Sequence, residues 1–247
     1  MVFIDTHCHL EICKDVDKVI ENAKAKDVGV IVTSGGDVKA NRLALEFGER
    51  FEEVEVCLGI YPVDALKMSD VELDEEIEFI LGVDEKIVGI GEVGLDLKHG
   101  DDLERQILIF EKFIDLASRL GKVLVVHSRG AEKRAVEVLV EKGVKKVVMH
   151  CFCGGLDLVD RIVNNGWYLS IPANVVFDEN FQEVVERIDI SRLLCETDSP
   201  FLHPVKGSRN NEPANVIESY KKIAEIKGLD LGEVEVELEK NFKKVFG

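Results

Sequence analysis

Two histidines one residue apart, His7 and His9, follow a short apolar stretch near the start of the chain. In an extended backbone, residues i and i+2 point to the same side, so both imidazoles can reach one cation. Neutral imidazole is a common ligand of zinc and similar metals. Two ligands do not complete a catalytic site, so further ligands are expected from other parts of the chain.

Apolar, β-branched runs alternate with amphipathic segments over the whole chain. The predicted strands lie at 2–5, 28–32, 54–60, 87–90, 123–126, 147–149, 167–171 and 193–195. Helices are predicted between and after them, at 16–26, 39–50, 71–81, 103–117, 131–142, 156–165, 181–188, 214–226 and 231–246. This alternation predicts an α/β fold, a single (β/α)8 TIM barrel over residues 1–247 with a C-terminal helical extension. An open doubly wound sheet is the alternative, but it usually has fewer strands.

Residues that can do chemistry gather where the predicted strands end, which is where barrel enzymes place their active sites. They are His7 and His9 after the first strand, and then, in chain order, Glu92, His127, His150 and Asp198. A single histidine behind an apolar run is more typical of a hydrogen-bonded core residue. The six residues together indicate an active site.

Four imidazoles and two carboxylates are too many ligands for one tetrahedral ion and suit two divalent ions. Glu92 is the predicted bridge between the ions, because a carboxylate has two oxygens. His7, His9 and Asp198 would hold one ion, and His127 with His150 the other. Glu92 and Asp198 are the predicted catalytic residues, Asp198 by orienting the attacking water. The ligand set leaves the metal open among Mg, Mn, Zn and Ni.

The composition limits the partners. The net charge is −17, from 48 acidic and 31 basic side chains among 247 residues. This charge argues against a protein that binds duplex nucleic acid generally, but not against a local basic groove.

No apolar run approaches the roughly 20 residues of a membrane helix, and the start of the chain lacks the pattern of a signal peptide. The six cysteines have no disulfide-framework spacing. We expect a monomer in the cytoplasm.

Taken as a set, the motifs resemble the TatD family of metal-dependent hydrolases. They are His7-x-His9, the segment 91–96 (Gly-Glu-Val-Gly-Leu-Asp), Val126-His127-Ser128-Arg129, His150-Cys151-Phe152, the segment 196–200 (Glu-Thr-Asp-Ser-Pro) and Asn211-Glu212-Pro213. The resemblance implies a metal-dependent hydrolase barrel, two divalent metal ions at the six residues above, and phosphodiester hydrolysis. Family members are described as deoxyribonucleases, in some cases 3′→5′ exonucleases on single strands. Single-stranded DNA or other nucleic-acid ends are therefore the implied substrates.

Four departures from the family pattern bear on the substrate and leave the six ligands untouched. The segment 59–63, Gly-Ile-Tyr-Pro-Val, lacks both histidines of the usual Gly-x-His-Pro-His, and Tyr61 is predicted to donate a hydrogen bond instead. Cys153 replaces a serine, Leu97 replaces an aromatic residue, and Arg209 stands one residue early. Arg129, Lys206 and Arg209 are the predicted phosphate contacts.

Two other functions compete with nucleic-acid hydrolysis. The first is a metal-dependent amidohydrolase or esterase acting on a small molecule or on aminoacyl-tRNA. Many such barrels bridge their metals with a carboxylated lysine from the fourth strand, whereas here Glu92 stands there and Lys86 and Lys98 lie outside it. The second is a structural barrel without enzymatic activity, which the complete ligand set argues against.

Overall fold

In a computed structural model, which describes residues 2–247, eight parallel strands follow one another in sequence order around a barrel. The strands are β1 (Phe3–Cys8), β2 (Val28–Ser34), β3 (Val54–Leu58), β4 (Gly89–Gly94), β5 (Val123–His127), β6 (Val147–His150), β7 (Tyr168–Pro172) and β8 (Leu193–Glu196). Helices lie between them, so the predicted (β/α)8 barrel is confirmed. The strands coincide with apolar, β-branched runs of the sequence because a parallel sheet covered by helices is buried on both faces.

Ten α-helices are found among the described residues. They are α1 (Val16–Lys24), α2 (Val38–Arg50), α3 (Pro62–Ala65), α4 (Asp70–Leu81), α5 (Leu103–Leu120), α6 (Glu132–Glu141), α7 (Leu156–Asn164), α8 (Glu179–Arg187), α9 (Val216–Lys227) and α10 (Leu231–Phe246). Asp15, Asp37 and Asp102 cap α1, α2 and α5 by accepting a backbone N–H of the first turn. Gly121 ends α5 in the left-handed conformation, at φ 67°. The single turn of α3 has too few residues to show an apolar period, and the sequence did not predict it.

The barrel closes between β1 and β8 without a regular ladder. Within residues 2–247 the strand pairings run from β1–β2 to β7–β8. Across the remaining gap, the Thr6 hydroxyl donates to the carbonyl of Cys195 (2.9 Å), and the N–H of Thr197 donates to Asp5 Oδ1 (2.8 Å). The N–H of Asp198 donates to the carbonyl of His7 (3.0 Å). These bonds tie the ends of β1 and β8 together at the place where both carry site residues.

The C-terminal helix α10 closes the end of the barrel where the strands begin. Its Val245 and Phe246 pack with apolar side chains of the strands, namely Val32, Cys57, Val123, Val125, Val148, Tyr168 and Leu194. The Asn241 amide donates to the carbonyls of Ile190 and Leu193, just before and at the start of β8. The opposite end, where the strands finish, is left for the site. None of the helices in residues 2–247 has the length and apolar character needed to cross a membrane.

Two strand boundaries differ from the sequence prediction in a way that matters. β1 runs through His7 to Cys8, and β4 covers Gly89–Gly94 rather than 87–90, so His7 and Glu92 lie within strands. The sequence did not predict the full length of β4 because three of its six residues are glycine, which is rare in strands. Here glycine permits close approach: a Cβ on Gly94 would lie 2.0 Å from the carbonyl oxygen of His127.

Candidate metal centre

The six predicted ligands lie together at the carboxyl ends of the strands. The Nε2 atoms of His7 and His9 are 3.3 Å apart, and Asp198 Oδ1 lies 3.8 Å and 3.5 Å from them, respectively. His7 and His9 meet because β1 is extended and alternates its side chains. The backbone of Asp198 has φ 52°, a left-handed conformation that aspartate tolerates better than most residues. This conformation directs its carboxylate toward the two histidines.

Glu92 stands between two pairs of histidines and turns one oxygen toward each pair. Its Oε2 is 3.4 Å from His9 Nε2 and 3.7 Å from His7 Nε2. Its Oε1 is 2.6 Å from His127 Nδ1 and 3.3 Å from His150 Nε2. A carboxylate in this position has the arrangement needed to bridge two cations.

Within residues 2–247, two sets of three residues have donor atoms close enough together to share one metal ion. They are His7 with His9 and Asp198, and His7 with Glu92 and His150. The first set is the one predicted from the sequence. The second contains His7 because the rings of His7 and His150 stack at a centroid distance of 4.0 Å. This second set differs from the predicted pair of His127 and His150, although Glu92 Oε1 also faces those two histidines together.

Each histidine is also held by its second ring nitrogen. His7 Nδ1 is 3.2 Å from the Ser34 hydroxyl, and His9 Nδ1 is 3.1 Å from both Glu11 Oε1 and the Ser34 carbonyl. His127 Nε2 is 2.9 Å from Asp96 Oδ2, and His150 Nδ1 is 3.2 Å from Glu196 Oε1. Such partners fix the ring orientation and the tautomer of metal-binding histidines. The sequence argument missed them, although Asp96 and Glu196 stand inside the motifs and Glu11 follows His9 by two residues.

The ionisable groups of the centre have strongly shifted pKa values. Burial alone would raise the pKa of Glu92, but His127 and His150 outweigh it and hold that pKa well below its usual value. Burial lowers the pKa of His7 well below its ordinary value, so this imidazole is neutral, the form that binds a metal. For His9, His127 and His150, hydrogen bonds and charges of nearby carboxylates overcome burial and raise the pKa. A divalent cation would have to displace those protons, which makes metal binding dependent on pH.

A cleft of about 650 Å³ opens onto this centre. Of the predicted substrate residues, Tyr61 and Arg129 line the cleft, whereas Lys206 and Arg209 do not and are exposed in the loop after β8. The Tyr61 hydroxyl donates to Asp96, the carboxylate that also holds His127. Tyr61 is therefore tied to the metal centre through one intermediate residue.

The fold and the centre together define a metal-dependent hydrolase barrel, and comparisons with known proteins agree. The family model described as TatD related DNase matches residues 4–247. The chain is 37% identical over 247 residues to an uncharacterised metal-dependent hydrolase of Methanocaldococcus jannaschii, covering 99% of this chain and 96% of the relative. It is 33% identical over 258 residues to a human protein named as a deoxyribonuclease, covering 98% of this chain and 94% of that one.

The fold comparison points to the same class. The crystal structure of a TatD homologue of Escherichia coli superposes with a TM-score of 0.93 at 26% identity, covering 99% of this chain and 97% of that chain. The chain belongs to the TatD family of metal-dependent hydrolases, as its motifs predicted.

Proposed function

We propose that the protein hydrolyses phosphodiester bonds at the ends of nucleic acids, as a deoxyribonuclease acting from the 3′ end of single strands. The position of Glu92 carries the proposal, because its two oxygens face different histidine pairs. Pairs of divalent ions hydrolyse or transfer phosphate esters in phosphatases, nucleases and polymerases, and they also occur in aminopeptidases. The name of the human relative supports a DNA substrate.

The residues of the chain have distinct parts in this reaction. His7, His9 and Asp198 would hold one ion, His127 and His150 the other, and Glu92 both. When bound, the ions would supply a hydroxide nucleophile at neutral pH and stabilise charge on the departing oxygen. The Asp198 carboxylate lines the cleft and is placed to accept a proton from the attacking water at an Oδ atom. Arg129, exposed in the same cleft, would orient a phosphate.

We also propose that the protein works as one barrel domain, as a monomer and in the cytoplasm. All six ligand residues come from one chain, so the site needs no second copy. The six cysteines are free thiols, as is usual in a reducing compartment.

The test uses single-stranded DNA carrying a label at the 3′ or the 5′ end. Protein is treated with a chelator, and Mg, Mn, Zn or Ni is then added back separately. We expect one or more metals to restore stepwise loss of the 3′ label, and Glu92→Ala protein to stay inactive with every metal. If no metal restores DNA cleavage while small esters or aminoacyl-tRNA are hydrolysed, the proposed substrate is wrong.

A further inference from the structure

Exposed apolar side chains line the cleft near His9. Ile12 is 53% exposed and Phe201 is 52% exposed, and both line the cleft together with Leu202. The Phe201 ring lies edge-on to the His9 ring, with centroids 6.2 Å apart and an angle of 70°. Large apolar side chains grouped beside a polar centre are typical of a binding surface rather than of ordinary protein exterior.

The backbone holds Phe201 firmly in spite of its exposure. Its N–H donates to the carbonyl of Asp198 (2.8 Å), and the N–H of Asn211 donates to the carbonyl of Pro200 (3.0 Å). The Asn211 amide donates to the carbonyl of Thr197 (2.9 Å). The backbone from which the ring projects is therefore fixed relative to Asp198, so the ring stays beside the centre.

The charge of the cleft disfavours a nucleic-acid strand that follows the cleft over several nucleotides. The lining contains six carboxylates, Glu11, Asp37, Asp64, Glu92, Glu132 and Asp198, and among these described residues Arg129 is the one lysine or arginine. A strand following the cleft would place several phosphates against carboxylates, whereas nucleic-acid grooves are normally basic. The cleft suits one phosphate at the centre and one neighbour at Arg129.

We propose that Phe201 is a stacking platform for the base of a single unpaired nucleotide at the end of a strand. This inference rests on the function proposed above and names the part of the substrate that the site selects. A base that is paired and stacked in a duplex has no free face for the ring, so the platform selects single-stranded or frayed ends. Base stacking supplies the affinity that cations supply in longer nucleic-acid grooves.

The test compares substrates with and without a terminal base. Single-stranded oligonucleotides ending in an ordinary nucleotide or in a stable abasic unit are cleaved by wild type, Phe201→Ala and Phe201→Trp. We expect Phe201→Ala to raise KM for the ordinary end roughly 5- to 150-fold, the value of one stacked base. KM for the abasic end should change little, kcat should be nearly unchanged, and Phe201→Trp should restore KM.

Val205→Ala is the matched control, because Val205 is 59% exposed in the same loop but does not line the cleft. It should behave as wild type. If Phe201→Ala raises KM equally for ordinary and abasic ends, the platform does not exist. A Val205→Ala effect as large as that of Phe201→Ala would also overturn it.

A second measurement separates failure of this inference from failure of the proposed function. Calorimetry on metal-supplemented protein compares a deoxynucleoside monophosphate with 2-deoxyribose 5-phosphate. Tighter binding of the nucleotide, lost in Phe201→Ala, supports the platform even if no DNA is cleaved. Equal binding of the two compounds overturns the platform, whatever the nuclease assay shows.

Discussion

Asp96 is a carboxylate on which several contacts of the centre converge. It is fully buried and accepts hydrogen bonds from the Tyr61 hydroxyl, His99 Nδ1 (3.0 Å) and His127 Nε2 (2.9 Å). Burial would raise the pKa of Asp96, but His127, Tyr61 and His99 outweigh it and lower that pKa far below the usual range. An ionised Asp96 keeps the proton of His127 on Nε2, which leaves Nδ1 free to face Glu92 and a metal.

Asp96→Asn should therefore weaken the centre while keeping the size of the side chain. We expect metal affinity to fall roughly 10- to 100-fold, the usual effect of removing such a partner. Competition with a chelator of known affinity measures the change. His99→Gln is the matched control, because the His99 side chain is 52% exposed and its loss should matter less. Unchanged metal affinity in Asp96→Asn would show that Asp96 does not hold His127.

Cys153 is an exposed free thiol that lines the cleft. Contact with the Cys151 thiol, aided by Arg129 and opposed by burial, lowers the pKa of Cys153 to about 7. The thiolate is the reacting form, and its fraction rises with pH through this pKa. The rate of Cys153 alkylation should thus reach half its maximum near pH 7, instead of near the ordinary value of about 8.5.

Peptide mass spectrometry after timed alkylation between pH 5 and 10 measures this rate. Cys13 is an internal control, since burial raises its pKa to about 11 and it should react slowly at pH 7. Arg129→Ala should move the Cys153 midpoint to higher pH. A midpoint near 8.5 in the wild type would contradict the prediction.

At the scale of elements, α9 supports β1, the strand that carries His7 and leads directly to His9. The Tyr220 hydroxyl accepts the N–H of Ile4 (3.1 Å) and donates to the carbonyl of Ile4 (3.3 Å), on β1. β1 has no ladder with β8 among the described residues, so this side chain takes the place of a strand neighbour. The Tyr220 ring also packs edge-on against Phe3, with centroids 5.0 Å apart.

Tyr220→Phe should lower the free energy of unfolding by about 1–3 kcal/mol, because it leaves the buried N–H of Ile4 without a partner. The urea midpoint at a constant slope measures the loss. Ser219→Ala is the matched control one residue earlier on α9. The Ser219 hydroxyl is buried and has no hydrogen-bond partner within residues 2–247, so its removal should be neutral or stabilising. Equal losses for both variants would refute the role of Tyr220.

At the scale of the whole molecule, the barrel has one end closed by apolar packing and one end crowded with ionisable groups. Val245 and Phe246 close the first, and the second brings His7, Glu92 and His150 together in a buried site. A cation that binds this end in the folded state alone stabilises the whole fold. At 100 times its dissociation constant it contributes about 2.7 kcal/mol.

Metal loading should therefore raise the Tm by about 5–11 °C, given about 2–4 °C per kcal/mol for a chain of this size. Scanning calorimetry of chelated and metal-supplemented protein measures the shift. Glu92→Ala should fold but show a much smaller shift, because it loses the carboxylate that both histidine pairs face. If wild type and Glu92→Ala respond equally to metal, the cation binds elsewhere.

The sequence by itself determined the barrel and the gathering of His7, His9, Glu92, His127, His150 and Asp198 at one rim. Apolar runs and their alternation with helices are local patterns, and parallel strands bring their carboxyl ends to one edge. Knowing the order of the strands was enough to bring residues from distant parts of the chain together.

Only the tertiary structure decided which side chains hold the histidines and which line the cleft. Ser34, Asp96 and Glu196 contact histidines from neighbouring or distant strands, and such contacts depend on register and barrel closure. The sequence predicted both Arg129 and Lys206 as phosphate contacts, yet of the two only Arg129 lines the cleft. Charge and spacing do not specify where a loop turns, because its course is set by long-range bonds such as the one from Asn211 to Thr197.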